Sequence, residues 1–251
     1  MTINADVWLH KFRAQTDRHL RDMRAVLHAL KDKSYAEKTS SGVERSVIDV
    51  KLQSQPDLDD IRNHQTNKCV QSSVTCLFEL IEWLIAIHDI HKEGGVHLTR
   101  ELHNEREALE YIEEYIGQRS MKMATDIKLK ADYKLDFFRV DLEVREMAGG
   151  YVDLRNCIEH HRGIAQKDII VMYRKFTFVI GGTDVLALPH KAEEGQDIGI
   201  RIDNVKKQIA RGDKVILSEE EAQAIVLTMQ TVLGPGYVLA MRDALKGQPS
   251  T

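Results

Sequence analysis

The segment YVDLRNCIEHHRG, residues 151–163, brings together an arginine, an asparagine and a histidine at a spacing that suits chemistry. As an α-helix turning about 100° per residue, it sets Leu154, Ile158 and His161 on one stripe, with Cys157 beside them. Asn156 and His160 stand four apart on a different face, and Arg155 and Glu159 form a second such pair. An imidazole exchanges a proton near neutral pH. A guanidinium grips phosphate oxygens and stabilises charge that develops on them. A neighbouring amide holds the imidazole tautomer or hydrogen-bonds a substrate. The set fits phosphodiester chemistry without a metal or cofactor, with His160 as general acid/base, Arg155 on the phosphate and Asn156 as the orienting group. Helix phase selects His160 over His161, which this reading assigns to the core.

The surroundings must hold that segment in place. A chain of 251 residues can bury a sizeable core in one large domain or two small ones. The formal net charge of −4 excludes a protein that coats nucleic acid by charge alone, though not a local basic site. Three cysteines, Cys69, Cys76 and Cys157, make an odd count that gives no disulfide framework and fits a reducing compartment. The N-terminus lacks an apolar signal core, and the run LFELIEWLIAIHDI reads as a buried helix somewhat short of a membrane span. The expectation is a cytoplasmic location.

Apolar residues at steps of three and four predict a helix over about 5–32, through Trp8, Phe12, Met23, Leu27 and Leu30. A polar connection follows over 33–56. Asp57 then caps a long helix to about His91, whose later half is apolar nearly all round and so sits in a bundle centre or a subunit interface. Further helices are expected over about 98–117 and 120–148. Gly149-Gly150 either breaks the second of these or admits another backbone, and Gly163 caps the motif helix. After residue 166 the period changes. IIVMYRKFTFVI and DVLALP predict a hairpin, and IGIRI and KVIL two more short strands. Ser218 and Glu221 form a capping box before a helix that Gly234-Pro235-Gly236 interrupts. The fold class is mainly α. A helical bundle fills 1–165, and 166–251 supply a small antiparallel β insert and a closing C-terminal helix, packed as one unit with the bundle.

The run Arg155-Asn156-Cys157-Ile158-Glu159-His160 is an R-N-x-x-x-H motif, and it resembles the signature of the HEPN superfamily. The following His161-Arg162-Gly163-Ile164 is similar to the HRGG-type ending of bacterial HEPN-like proteins. The motif covers about ten residues, and the helical pattern extends the likeness loosely over 57–165. The resemblance implies a HEPN-like bundle that pairs as a homodimer, with two motifs meeting across the interface. It also implies a metal-independent endoribonuclease of a toxin–antitoxin or anti-phage system, leaving a 2′,3′-cyclic phosphate and a 5′-hydroxyl. An RNA substrate and a protein partner or antitoxin follow from the same likeness. Members of this fold also serve as non-catalytic interaction modules, and that alternative stands open here. The apolar helix at 70–90 and the motif helix are the candidate dimer surfaces.

Structural readings compete with each assignment. Arg155 can bridge to Glu143 or Glu146, Glu159 can neutralise it, and Asn156 and His160 can simply pack their helix. His88, His91, His97 and His103 lack metal-ligand spacing, and His10, His19 and His28 alternate between helix faces. Arg13, Arg18, Arg21 and Arg24 read as a solvated face, with RNA contact as the alternative.

Overall fold

In a computed structural model, the described residues are 5–31, 55–92, 140–180, 183–185 and 198–246, with 106, 107, 110–114 and 116. Helix α1 spans Ala5–Lys31 and α2 spans Gln55–Lys92. The motif helix α3 spans Leu142–His160. Strands β1, Ile169–Ile180, β2, Thr183–Val185, and β3, Ile198–Ile209, precede helix α4, Glu219–Thr228. A π-helical turn, Met229–Leu233, joins α4 to α5, Gly234–Lys246. The fold is mainly helical, with a small antiparallel sheet before the C-terminal helices, as the sequence pattern predicts.

The later half of α2 runs through the centre. Val70, Val74, Leu77, Leu84 and Ile87 are buried against α1, α3, α4 and α5. One continuous core reaches from Trp8 to Met241, so the bundle and the C-terminal part pack as a unit. The apolar side chains of α2 are therefore spent inside this chain, and the bundle centre is the setting they take. By length and composition, Leu58–His88 and Glu219–Leu245 could each cross a membrane. Both windows are mostly buried in this fold, so core packing accounts for their apolarity. The run at 77–90 is thus not short of a span, because it continues a 38-residue helix.

Several boundaries depart from the sequence reading. Helix α2 begins two residues before Asp57, which falls in its first turn. The connection at 33–54 lies outside the described residues, as does all of 117–139. Between 106 and 116 the described residues are helical, and Ile112 is buried. Helix α3 starts at Leu142 behind Asp141, whose carboxylate accepts from the Glu143 N–H at 2.8 Å. It passes through Gly149-Gly150 without a break. A Cβ at Gly150 would collide with the Ile170 carbonyl of β1, whereas one at Gly149 would meet open space. Close approach of helix and strand, not a chain break, is what this glycine pair permits.

Strand β1 is central, in the order β2–β1–β3, and both pairings are antiparallel. Its pairing with β2 closes the hairpin expected around 181–182, with Ile180 opposite Thr183. IGIRI grows into a 12-residue strand, because DNVKKQI continues opposite Ile169–Lys175. KVIL is no strand; its Lys214 makes a single bridge to Ile164. Ile169, Val171 and Tyr173 alternate into the core.

The capping box is present, with Glu221 accepting from the Ser218 N–H and Ser218 from the Glu221 N–H. Gly234-Pro235-Gly236 does not interrupt the helix after it. The π turn lets the Gly234 N–H reach the Met229 carbonyl and frees the Gln230 carbonyl, which accepts from Arg13 Nε and Nη2 at 3.3 and 3.2 Å. Arg13 is accordingly not part of a solvated face, while Arg18, Arg21 and Arg24 are exposed. The Gly234 position lies about 3 Å, measured from a built Cβ, from Leu9 and Phe12 of α1, too tight for a side chain.

Cys69, Cys76 and Cys157 are free and buried, as small hydrophobes should be. Burial pushes the Cys69 thiol up to about 12 and that of Cys76 up to about 11. Burial likewise raises Tyr151 above its ordinary value. In each case the unfolded chain ionises first as pH rises. The contribution of the two thiols to stability is complete below about pH 9 and is lost between pH 9 and 12, and that of Tyr151 begins to fall only about one pH unit higher. Urea midpoints should therefore fall steadily from pH 8.5 to pH 11 (about that window), and a thiol-specific dye should react at neutral pH only after unfolding.

The two glycines of α3 predict opposite outcomes. Gly150→Ala should lower unfolding free energy by about 1–3 kcal/mol, because the Ile170 carbonyl must move. Gly149→Ala should raise it by up to about 1 kcal/mol through helix propensity alone. Urea denaturation of the two variants checks both signs.

Candidate functional site

The C-terminal half of α3 carries the motif. Leu154 and Cys157 face the core, and Ile158 packs partly against it, as the helix phase requires. The helix ends at His160. His161 is its C-cap, with φ −119° and ψ 18°, and is exposed. It does not lie in the core, because the helical phase that would take it there stops one residue earlier. Arg162 at φ 53° and Gly163 at φ 77° then turn the chain in the left-handed region. The N–H groups of His161 and Gly163 both donate to the Cys157 carbonyl, at 3.1 and 3.0 Å. Gly163 thus closes the helix as a C-terminal glycine is expected to.

Arg155 and His160 both approach the Glu159 carboxylate, and Asn156 meets the guanidinium. Arg155 Nη2 lies 2.5 Å from Glu159 Oε2, and His160 Nε2 lies 3.9 Å from the same oxygen. Arg155 Nη1 donates to Asn156 Oδ1 at 3.2 Å. The Arg155 side chain is 15% exposed, and that of His160 57%. A polar group this close to the surface as His160 can meet a ligand directly, whereas Arg155 is largely covered. Arg155 Nε is buried with no hydrogen-bond partner among the described residues. Asn156 touches the guanidinium, and no hydrogen bond joins it to His160 among the described residues. The bridge from Arg155 to Glu143 or Glu146 is absent among the described residues: Glu143 pairs with Arg174 at 3.6 Å instead.

Two histidines of the other candidate clusters are packed rather than gathered into a site. His88 is buried in α2, and His19 sits 3.6 Å from Cys76 Sγ, its pKa lowered chiefly by burial. Among the described residues no three His, Cys, Asp or Glu side chains converge as metal ligands. His97 and His103 lie outside the described residues, as does the side chain of His91.

A second polar feature was not signalled by any motif. A cleft of about 620 Å³ opens between the N-terminal half of α2, the Arg162-Gly163 turn and Lys214-Val215. Its residues are scattered over some 155 positions of the chain, so no local spacing marks them. Asn63 and Asn67 hold its far wall by donating to the Val215 carbonyl, each at 3.1 Å.

No known protein family matches this chain, and no curated protein or solved structure matches it either.

The Arg155–Glu159 pair is the measurable core of that geometry. A double-mutant cycle with Arg155→Ala and Glu159→Ala should give a coupling of about 1 kcal/mol, at the upper end for a partly exposed pair. The exposed Lys214–Asp60 pair, 2.8 Å apart, should give a coupling near zero.

Proposed function

We propose that the chain is a HEPN-like helical domain acting as a metal-independent endoribonuclease. The observation that carries this reading is the convergence of Arg155 and His160 on Glu159 at the accessible end of α3. His160 accepts the proton of a ribose 2′-hydroxyl, and the resulting oxygen attacks the adjacent phosphorus. Arg155, released from Glu159 by the incoming phosphate, neutralises charge on the non-bridging oxygens. The 5′-oxygen leaves with a proton, giving a 2′,3′-cyclic phosphate and a 5′-hydroxyl. Asn156 holds the guanidinium plane. The exposed end of α3 is the surface on which a second copy would bring its own motif. A toxin–antitoxin or anti-phage setting, with a protein partner that silences the site, is the biological frame this activity fits.

One observation favours a second reading. Glu159 neutralises Arg155 at the short distance of 2.5 Å, as in a helix built for assembly rather than turnover. The protein is then a non-catalytic dimeric interaction or regulatory module.

Incubation of the purified protein with mixed RNA in EDTA separates the two. The ribonuclease reading expects cyclic-phosphate ends, with cleavage slowed by about 100-fold or more in His160→Ala and Arg155→Ala. It also expects Glu159→Gln to cut at least as fast as the parent. Intact RNA, or equal cutting by the parent and both alanine variants, eliminates it. Loss of dimer in those variants without any cleavage supports the module instead.

A further inference from the structure

We propose that the cleft between α2 and the turn after α3 is a binding site for a compact polyanion carrying two or more phosphate groups. None of Arg155, Asn156 and His160 lines it, so the proposal stands apart from the ribonuclease reading. Its volume of about 620 Å³ falls in the range of small-ligand sites. Three cations reach it from three separate parts of the chain: Lys68 from α2, Arg162 from the turn and Lys214 from the segment before α4. Asp60, also in the lining, is held by Lys214 at 2.8 Å. Lys68 and Arg162 have no ion-pair or hydrogen-bonding partner for their charged groups among the described residues, and both are exposed. The cleft therefore presents unneutralised positive charge, which an anion of more than one charge would balance.

The backbone supplies a second, independent observation. Arg162 is the only non-glycine residue with positive φ among the described residues, at 53°. That conformation costs energy in an arginine and none in a glycine. The helix end needs a left-handed residue there, but it does not need a guanidinium. Residues held in such conformations concentrate where a ligand is gripped. A guanidinium fork and an ammonium are the groups that bind phosphate oxygens best, the first bidentately and the second as a point charge. His64 and the Gln71 amide add hydrogen-bonding capacity. The lining contains no Phe, Tyr or Trp; His64 is its single aromatic ring and Ile158 and Val215 its apolar side chains, so cationic and amide groups dominate over any surface on which a base could stack. Recognition is then of the phosphates themselves. The rigid wall favours a preformed site, because Asn63 and Asn67 both clasp Val215 and Asn63 also accepts from the Leu217 N–H.

Isothermal titration of the full chain with pyrophosphate, at low salt and without metal, tests this. Saturable binding is expected, weakened by about tenfold or more in Lys68→Gln and in Arg162→Gly. Arg162→Gly is the informative variant, because glycine suits φ 53° and its melting temperature should equal or exceed the parent's. Citrate, which matches the charge with carboxylates, should bind at least about tenfold more weakly than pyrophosphate. A short deoxyoligonucleotide without terminal phosphates should not displace pyrophosphate. No saturation by about 10 mM overturns the proposal, as does undiminished affinity in both variants. Equal binding of citrate would reduce the site to general anion attraction, and displacement by the oligonucleotide would make it a nucleic-acid track; either result refutes the assignment.

Discussion

The hydrogen-bonding edge of β1 that β3 does not cover is the constraint on which the assembly turns. A buried strand edge must find partners for its backbone groups. At residues 178–180 that edge pairs with β2. Farther back no strand reaches it among the described residues, and two helices supply side chains instead. The Tyr151 hydroxyl of α3 donates to the Met172 carbonyl at 2.9 Å. The Thr228 hydroxyl of α4 accepts from the Arg174 N–H at 2.8 Å. Gly150 lets the α3 backbone close onto the Ile170 carbonyl. Residues 170, 172 and 174 alternate correctly for one edge, so the three contacts form a single docking line. The motif helix owes its position to that line.

The other side of the sheet is fixed by charge. Lys207 sits on the core-facing register of β3, opposite Val171, where an apolar residue would be usual. Its ammonium is satisfied by Glu221 at 2.7 and 2.8 Å and by the Ile216 carbonyl at 2.8 Å. Glu221 also caps α4 and accepts from the Tyr173 hydroxyl at 3.4 Å. One carboxylate thus ties β1, β3 and the start of α4 together, a coupling stronger than separate surface pairs could supply. At the far end the Gln230 amide donates to Thr16 and Asp17 of α1, at 2.7 and 2.8 Å. With Arg13 on the Gln230 carbonyl, the π turn becomes the point where the first and last helices lock.

The candidate site inherits its character from these supports. Because Leu154 and Cys157 are held in the core, Arg155 and Glu159 emerge together on the flank of α3 and meet each other before they meet solvent. His160, the last residue of the helix, approaches the same carboxylate more loosely and keeps over half of its side chain exposed. The same termination, through Arg162 and Gly163, shapes the neighbouring cleft. A helix end therefore lies between two polar features, one built from consecutive residues and one from residues far apart in the chain.

Local physics explains what was legible in the sequence. Steps of three and four marked α1 and α2, the Ser218–Glu221 box marked the start of α4, and the β-branched run marked β1, because each depends on neighbours within a few residues. The i, i+4 pairing of Arg155 with Glu159 was also readable for that reason. What the tertiary structure decided depends on distant partners. Gly149-Gly150 reads as a break or a close backbone approach, and the Ile170 carbonyl of β1 decides for the approach; Gly234-Pro235-Gly236 reads as an interruption, yet the helix continues while Arg13 satisfies the carbonyl freed there. His161 read as core, but the helix ends at His160, and His161, at φ −119°, lies exposed as its C-cap. The extension of β3 through DNVKKQI sets Lys207 opposite Val171, where Glu221, distant in the chain, neutralises it. The motif was thus written in the sequence, whereas its exposure and its neighbour, the cationic cleft, came from contacts that no local pattern encodes.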